Sequence, residues 1–213
     1  MLAPEGRKIL IGLMVLTFIC GIAGYGYEND ALKVSYFIFG FLFIFSLNFF
    51  RDPQRTTPEG ENLLIAPADG KVVLIDEIED EVVGNAKQIS IFLNVFNVHS
   101  NKMPVDGIVE SVDYKKGKFK AAFDHSASDV NEQAIIVLSR GNMKIKIKQI
   151  AGLIARRIHC YAKVGSEVKP GERFGFIMFG SRTDLIVPSN SVVNVKVGDN
   201  VTGGTTVLGQ LTT

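Results

Sequence analysis

The sequence predicts a mainly β domain that follows an N-terminal hairpin of two membrane-spanning helices. Two observations carry this prediction. The first fifty residues contain two long apolar runs, and the rest of the chain consists of short β-rich runs separated by turn residues. The 213 residues leave room for one soluble domain beside such an anchor.

The apolar runs are Ile9–Tyr27 and Ala31–Phe50, with the polar residues 28–30 between them. Each approaches the ~20 residues that a helix needs to cross a bilayer. Basic residues flank the outer ends of the pair: Arg7, Lys8, Arg51 and Arg55. By the positive-inside tendency, residues 1–50 therefore form a hairpin in the cell membrane with the following domain on the cytoplasmic side. A buried hairpin of a soluble protein is the alternative.

Residues 51–61 have the composition of a linker, and residues 62–213 that of a β domain. In Met143–Lys148 apolar residues alternate with lysines, which predicts a strand with an apolar face and a lysine face. We expect one or two short helical pieces at most. The predicted strands are Leu63–Ile65, Val72–Ile75, Gln88–Leu93, Ile108–Tyr114, Ala134–Leu138, Met143–Gln149, Arg173–Phe179, Asp184–Val187 and Val192–Val197.

An internal repeat narrows the architecture. The pattern V-G-x-x-V-x-x-G occurs at Val164–Gly171 and again at Val197–Gly204. Paired elements of this kind recur in small β-sandwich hybrids such as lipoyl and biotinyl carriers, and Pro67–Val72 resembles a turn of the same architecture. The repeat therefore predicts a β-sandwich or barrel-sandwich-hybrid-like domain, with a carrier-like binding module as one functional reading.

Composition argues against several classes of function. The formal net charge of +1 gives no support for nucleic-acid binding. The two cysteines, at positions 20 and 160, suggest no disulfide framework and no metal-binding cysteine pair. The three histidines, at positions 99, 125 and 159, include no close pair, so we expect no metal site. Residues 179–188 contain no lysine, which disfavours a carrier modified at a hairpin tip. A membrane-anchored adaptor without catalysis stays open.

Gly180-Ser181 interrupts the apolar segment Phe174–Pro188. Because glycine needs no space for a Cβ atom, a nucleophile can approach the bond that follows it closely. A serine hydroxyl at position 181 could attack the carbonyl carbon of the residue before it. The dipeptide is therefore either a self-cleavage site or an ordinary turn, as Gly165-Ser166 is predicted to be.

Four stretches carry a family resemblance: Ala66–Val72, Val95–Gly107, residues 123–132 with Asn131-Glu132, and Phe179–Ser181. In this order and spacing the chain resembles the phosphatidylserine decarboxylases, in their short, membrane-associated form. The resemblance extends from the linker to about Pro188. It implies an enzyme of phospholipid biosynthesis that converts phosphatidylserine to phosphatidylethanolamine with a covalent pyruvoyl group, without pyridoxal phosphate and without a metal.

The resemblance also implies self-processing. The Ser181 hydroxyl would attack the Gly180 carbonyl, and elimination of the resulting ester would lead to a pyruvoyl group at position 181. The products would be a β chain, 1–180, and an α chain, 181–213, which stay associated. The pyruvoyl ketone would form a Schiff base with the substrate amine and accept electrons as CO2 leaves, since ordinary side chains offer no such electron sink.

The family's functional residues transfer unevenly. Asp69 matches an aspartate that assists processing, and His99 matches a histidine implicated in decarboxylation. The longer bacterial enzymes have a second histidine where Lys102 stands and a threonine where Arg182 stands, so their Asp-His-Ser triad is incomplete here. The processing base stays open between His99, Lys102 and His159, and His125 is expected to be an ordinary loop residue.

Phosphatidylserine and the lipid bilayer are the expected partners, and a homodimer stays open. Basic residues are clustered in two places and form either a solvated face or a contact with anionic lipid head groups. They are Lys115, Lys116, Lys118, Lys120, Arg156 and Arg157.

Overall fold

The computed structural model describes residues 1–120, 127–152, 157–178 and 180–212. The chain divides into two compact units, Met1–Gln54 and Arg55–Thr213. Of the residues singled out in the sequence, His125, Arg156 and Phe179 lie outside the described part.

The first unit consists of a 3-10 turn, Pro4–Gly6, and two helices, α1 (Arg7–Gly26) and α2 (Asp30–Phe49). The Asn29 side chain caps α2 by accepting a hydrogen bond from the Leu32 N–H group, 3.1 Å long. Most large apolar side chains of both helices point outward rather than into the unit. Both helices are long and apolar enough to span a membrane, as the sequence predicts.

The second unit is mainly β, as predicted, and its described residues include one short helix, α3 (Ala127–Val130). Its largest element is a curled, antiparallel eight-stranded sheet in the order β13-β2-β3-β11-β7-β6-β5-β9, accompanied by the three-stranded sheets β1-β14-β12 and β4-β10-β8. The strands are β1 (Leu63–Ile65), β2 (Gly70–Asp80), β3 (Gly84–Leu93), β4 (Ser100–Lys102), β5 (Gly107–Lys115), β6 (Gln133–Arg140), β7 (Met143–Ile150), β8 (Ile158–Cys160), β9 (Glu167–Val168), β10 (Arg173–Ile177), β11 (Ser181–Pro188), β12 (Val192–Val193), β13 (Asn200–Val201) and β14 (Val207–Gln210).

All nine predicted strands are present, but several of their limits differ. The strand predicted at Asp184–Val187 begins three residues earlier, at Ser181, and the one predicted at Val192–Val197 ends at Val193. Sequence reasoning missed β4, β8, β9, β13 and β14. These strands have two to four residues, too few for an alternating pattern to become visible.

Apolar residues and lysines alternate on the two faces of β7, as predicted, but not every lysine of this strand is exposed to solvent. Ile145 and Ile147 are in the core, and the Lys146 side chain is only 4% exposed. Its ammonium nitrogen lies 2.7 Å from a carboxylate oxygen of Asp80. Burial alone would raise the pKa of Asp80, but hydrogen bonds from Lys146 and from two backbone N–H groups outweigh burial and lower it.

The second unit is built from two halves of the same design. Each half has a short strand, then a P-x-D-G-x-V turn, then a long hairpin, and the turns are Pro67–Val72 and Pro104–Val109. The first strand of each hairpin has an irregular register at the same place, directly after Val72 and Val109. Two reciprocal backbone hydrogen bonds join the halves, from Ile65 to Pro104 (2.8 Å) and from Lys102 to Pro67 (2.9 Å).

The predicted V-G-x-x-V-x-x-G repeat forms the outer edges of this duplicated sheet. Its first copy contains β9, in which Val168 pairs with Gly107, and its second copy contains β13, in which Val201 pairs with Gly70. The two halves meet in the middle of the sheet, where β7 pairs with β11. Corresponding positions of the two halves can therefore be compared directly.

Candidate functional site

Ser181 is the first residue of β11, a central strand, and pairs with Leu93 of β3. Its side chain is fully buried, and within the described chain its hydroxyl oxygen makes no hydrogen bond. Gly180 has a φ angle of +64°, in the left-handed region that favours glycine, and the space around it is open. The turn is therefore at Gly180, whereas the sequence placed both residues in it and Ser181 belongs to a strand.

The Gly180-Ser181 bond lies where the chain passes from one sheet to another. Strand β10 ends at Ile177 in the sheet β4-β10-β8, and β11 begins at Ser181 in the eight-stranded sheet. A cut at this bond would separate residue 181 from β10 but would leave β11 paired with both of its neighbours, β3 and β7.

His99 lies at the same end of the domain as Ser181. The segment that leads to it begins after Leu93, the strand partner of Ser181. At its other end the His99 carbonyl accepts a hydrogen bond of 3.2 Å from Ile177, four residues before Ser181. Two chain segments thus connect the same two sheets side by side, one ending in His99 and the other in Ser181.

The His99 side chain is buried, and its ring centroid is 6.2 Å from that of Phe176. Its Nδ1 atom lies 2.9 Å from the Asn97 carbonyl oxygen. A carbonyl can only accept, so we assign the ring hydrogen of neutral His99 to Nδ1 and the lone pair to Nε2. This tautomer can accept a proton at Nε2, which is what a general base requires.

Asp69 is buried directly before β2, and both oxygens of its carboxylate accept hydrogen bonds. Arg55 contacts both oxygens, with Nη2 at 2.9 Å from Oδ2, and the Gly203 N–H group donates to Oδ1 at 2.8 Å. Because β2 and β11 flank β3, Asp69 is two strand spacings from Ser181, roughly 10 Å between backbones. The hydrogen bonds of the Asp69 carboxylate thus connect the P-A-D-G turn to Arg55 of the linker and to the turn at Gly203.

Asp106 occupies the corresponding position of the other half but has a different environment. Its side chain is 56% exposed and pairs with Arg140 at 2.9 Å. Pro170 stands where Gly203 stands in the first half, and proline has no N–H group to donate. The buried, fully bonded aspartate is thus specific to Asp69, although both turns contain the same P-x-D-G motif.

Asp69→Asn should impair cleavage more than the turnover of whatever mature enzyme forms. The variant loses the negative charge opposite Arg55, and hydrogen bonds to charged groups contribute about 1.5–3 kcal/mol, which predicts cleavage roughly ten- to a hundredfold slower. The measurement is the fraction of cleaved chain over time by intact mass. Asp106→Asn is the matched control and should be cleaved at the wild-type rate. Equal rates for all three proteins would contradict a processing role for Asp69.

The other two candidate processing bases lie apart from each other. Lys102 is in β4, half-buried, and its side chain passes beside Gly204, next to the turn that binds Asp69. His159 is in β8, on the other side of β10, with its ring stacked on Tyr161 at 6.2 Å between centroids. The choice between His99, Lys102 and His159 therefore stays a prediction.

Sequence reasoning missed two buried polar groups on β11. On one face, Arg182 pairs with Asp184 at 2.6 Å and donates to Ser90, and Ser128 donates to Asp184. On the other face, Thr183 accepts a hydrogen bond of 3.2 Å from Asn101. The signal in the sequence is the run Ser181-Arg182-Thr183-Asp184, which is unusually polar for a central strand.

Among the described residues, no group of three or more His, Cys, Asp or Glu side chains is placed to hold a metal ion. Burial raises the pKa of the Cys160 thiol, so this residue is not poised as a thiolate nucleophile.

Comparison with known proteins gives a consistent result. A family model described as phosphatidylserine decarboxylase matches residues 42–209. The chain is 43% identical over 213 residues to the phosphatidylserine decarboxylase proenzyme of Ralstonia nicotianae, covering 99% of this chain and 95% of that protein. It is 41% identical to the proenzyme of Geobacter metallireducens, covering 99% and 96%, and 38% identical to that of Chlorobium limicola, covering 98% and 99%.

Proposed function

Because this chain belongs to the phosphatidylserine decarboxylase family, we propose that it cleaves itself at Gly180-Ser181 and decarboxylates phosphatidylserine to phosphatidylethanolamine with a pyruvoyl group made from Ser181. The observation that carries the proposal is the buried Ser181 hydroxyl, which has no hydrogen-bond partner in the described chain and directly follows a glycine in the left-handed region. Ser100 and Ser191 also have buried hydroxyls without a hydrogen-bond partner in the described chain, so the support comes from the combination of such a hydroxyl with the preceding glycine.

The cleavage balances without any outside reactant except water. The Ser181 oxygen attacks the Gly180 carbonyl carbon, the peptide C–N bond breaks, and an ester joins the two chains. Loss of the Ser181 Cα proton and cleavage of the Cβ–O bond release the Gly180 carboxylate and leave dehydroalanine. Hydrolysis of its imine form releases ammonia and leaves the pyruvoyl group, which supplies the electron sink that decarboxylation needs.

The residues around Ser181 contribute shielding from water and proton transfer. Leu93 and the neighbouring strands bury position 181 completely, which strengthens electrostatic interactions in the site. His99 presents its Nε2 lone pair at this end of the domain, and its proposed role is proton transfer during decarboxylation. Cleavage detaches residue 181 from Gly180, and we expect the head group of the lipid to enter there.

Strand pairing supports the association of the two chains after cleavage. Residues 181–213 contribute β11 to the middle of the eight-stranded sheet, where all of its eight residues pair with β3 and five of them also pair with β7. They also contribute β13 to the edge of that sheet and β12 and β14 to the sheet with β1. Removing the small chain would therefore expose much of the core.

The chain's surface also fits a lipid substrate. Phe96 is 67% exposed on the turn between Leu93 and His99, and the Asn94 side chain accepts a hydrogen bond of 2.8 Å from its N–H group. Exposed lysines, including Lys118, could attract anionic head groups, each contributing on the order of 1 kcal/mol near such a surface. Together with the two apolar helices, these features favour a membrane-bound enzyme, and the basic flanks favour its cytoplasmic side.

The proposed activity can be tested with the full chain in detergent micelles that contain phosphatidylserine labelled in the serine carboxyl carbon. We expect labelled CO2 and one phosphatidylethanolamine per CO2, without added pyridoxal phosphate or metal. Ser181→Ala supplies the background rate. Cleaved wild-type protein that releases no CO2 above this background would overturn the proposed substrate while leaving self-cleavage intact.

A further inference from the structure

Three buried side chains connect the strand that follows His99 to the strand that begins with Ser181. Asn101 of β4 donates to the Thr183 hydroxyl of β11 at 3.2 Å and accepts from the Gln149 amide of β7 at 2.8 Å. All three residues have no exposed surface. We call Asn101, Gln149 and Thr183 the polar tie.

The three positions that the symmetry of the two halves relates to the polar tie carry apolar residues instead. Thr183 of β11 pairs with Ile91 of β3, and Ile145 of β7 pairs with Leu138 of β6, which is the counterpart of Ile91. Thr183 therefore corresponds to Ile145. By the same register, Leu64 corresponds to Asn101, since each pairs with a glycine of the adjoining strand, and Val187 corresponds to Gln149. Leu64, Ile145 and Val187 all belong to the hydrophobic core.

The fold therefore does not need polar side chains at these positions. Burying an amide or a hydroxyl costs free energy unless every group is hydrogen-bonded, and the Gln149 carbonyl oxygen is buried without a partner in the described chain. A Cβ atom on residue 175 would lie 2.4 Å from the Gln149 nitrogen, so Gly175 leaves the room that this amide occupies. The positions of the polar tie thus keep a costly arrangement that the symmetry-related positions replace with apolar packing.

The position of the polar tie, between residues near His99 and Ser181, suggests its function. Thr183 is two residues after Ser181, so their side chains share one face of β11, and Asn101 is two residues after His99. Cleavage at Gly180-Ser181 would remove the covalent connection between β10 and residue 181, whose position then depends on contacts within the sheet and across to β4. Hydrogen bonds have a preferred direction and distance, so they fix that position more closely than apolar contacts do.

We propose that Asn101, Gln149 and Thr183 are positioning residues that hold Ser181, and the group made from it, in register with His99. This inference rests on the proposed function. It assigns no contact with substrate to the three side chains. Their effect is on the alignment of residue 181 with His99 before and after cleavage.

The test compares Thr183→Val, which removes the hydroxyl at nearly constant shape, with Thr183→Ser, which keeps it. In full-length protein, Thr183→Val should slow cleavage and lower kcat roughly 10- to 100-fold, the effect of a misplacement of about 1 Å, with little change in KM. Thr183→Ser should recover most of both rates. Asn101→Leu, which introduces the residue of the other half, should behave like Thr183→Val, and the double variant should lose no more than either single one.

Thermal unfolding of the same proteins separates positioning from stability. Each single variant leaves a polar partner buried without a hydrogen bond and should lower the midpoint, whereas the triple variant with the apolar residues of the related positions, Asn101→Leu, Gln149→Val and Thr183→Ile, should recover it. Ile145→Val, a matched change at the position related to Thr183, should lower the midpoint but keep cleavage and turnover.

Unchanged rates in Thr183→Val and Asn101→Leu would overturn the inference, and so would a triple variant whose cleavage and turnover recover together with its unfolding midpoint. Wild-type protein that cleaves but releases no CO2 would remove the proposed substrate only, and the cleavage rates would then decide the role of the tie. Wild-type protein that folds and never cleaves would remove both proposals.

Discussion

Ser181→Ala should remain a single chain of 213 residues, whereas the wild type should separate into chains 1–180 and 181–213. Alanine has no nucleophile to attack the Gly180 carbonyl, so the expected loss of cleavage is complete. The variant should fold normally, because within the described chain the Ser181 hydroxyl makes no hydrogen bond that its removal would break. Decarboxylation should be absent as well, since no pyruvoyl group can form.

Intact mass spectrometry measures this prediction directly. The small chain should begin with a pyruvoyl group in place of serine, and the large chain should end in an ordinary carboxylate at Gly180. Ser191→Ala is the matched control, because Ser191 is also buried with no hydrogen-bond partner for its hydroxyl in the described chain, and it should be cleaved like the wild type. Folded wild-type protein of full length with an unmodified Ser181 would refute the proposed mechanism.

His99→Ala should lower the rate of CO2 release by ~10²–10⁴-fold, the usual contribution of a general acid or base, while still allowing some cleavage. The reason is the tautomer that the Asn97 carbonyl favours, in which Nε2 carries the lone pair that the proposed proton transfer needs. Removal of the ring takes away this proton transfer but not the electron sink. The measurement is CO2 release per cleaved chain, so that incomplete processing does not count as lost turnover.

Borohydride reduction supplies the second readout for His99→Ala. In both the wild type and the variant, reduction in the presence of phosphatidylserine should attach the lipid amine to the small chain that begins at position 181. Labelling of a lysine in the large chain would instead contradict the pyruvoyl mechanism. If His99→Ala abolished cleavage and Asp69→Asn cleaved normally, the two roles would have to be exchanged, with His99 as the processing base.

The sequence predicted the helices and the long strands, because these elements follow from patterns of neighbouring residues. The two helices follow from runs of apolar residues as long as a bilayer is thick, and the long strands follow from alternation over five or more residues. The family could be identified because its motifs are short contiguous stretches around Asp69, His99 and Ser181. Each helix, strand or motif can be read within one segment of about twenty residues or fewer, and the family resemblance adds only the order and spacing of the motifs.

The tertiary structure alone decided which distant residues meet. Asp69 is held by Gly203, 134 positions further along the chain, and Asn101 bonds to Thr183 across 82 positions. It also showed that Asp69 and Asp106 have different environments and that the polar tie has apolar counterparts, although the motifs of the two halves look alike. A hydrogen bond depends on a distance of about 3 Å and on burial, and both are set by how strands pair across the sheets rather than by the residues beside them in sequence.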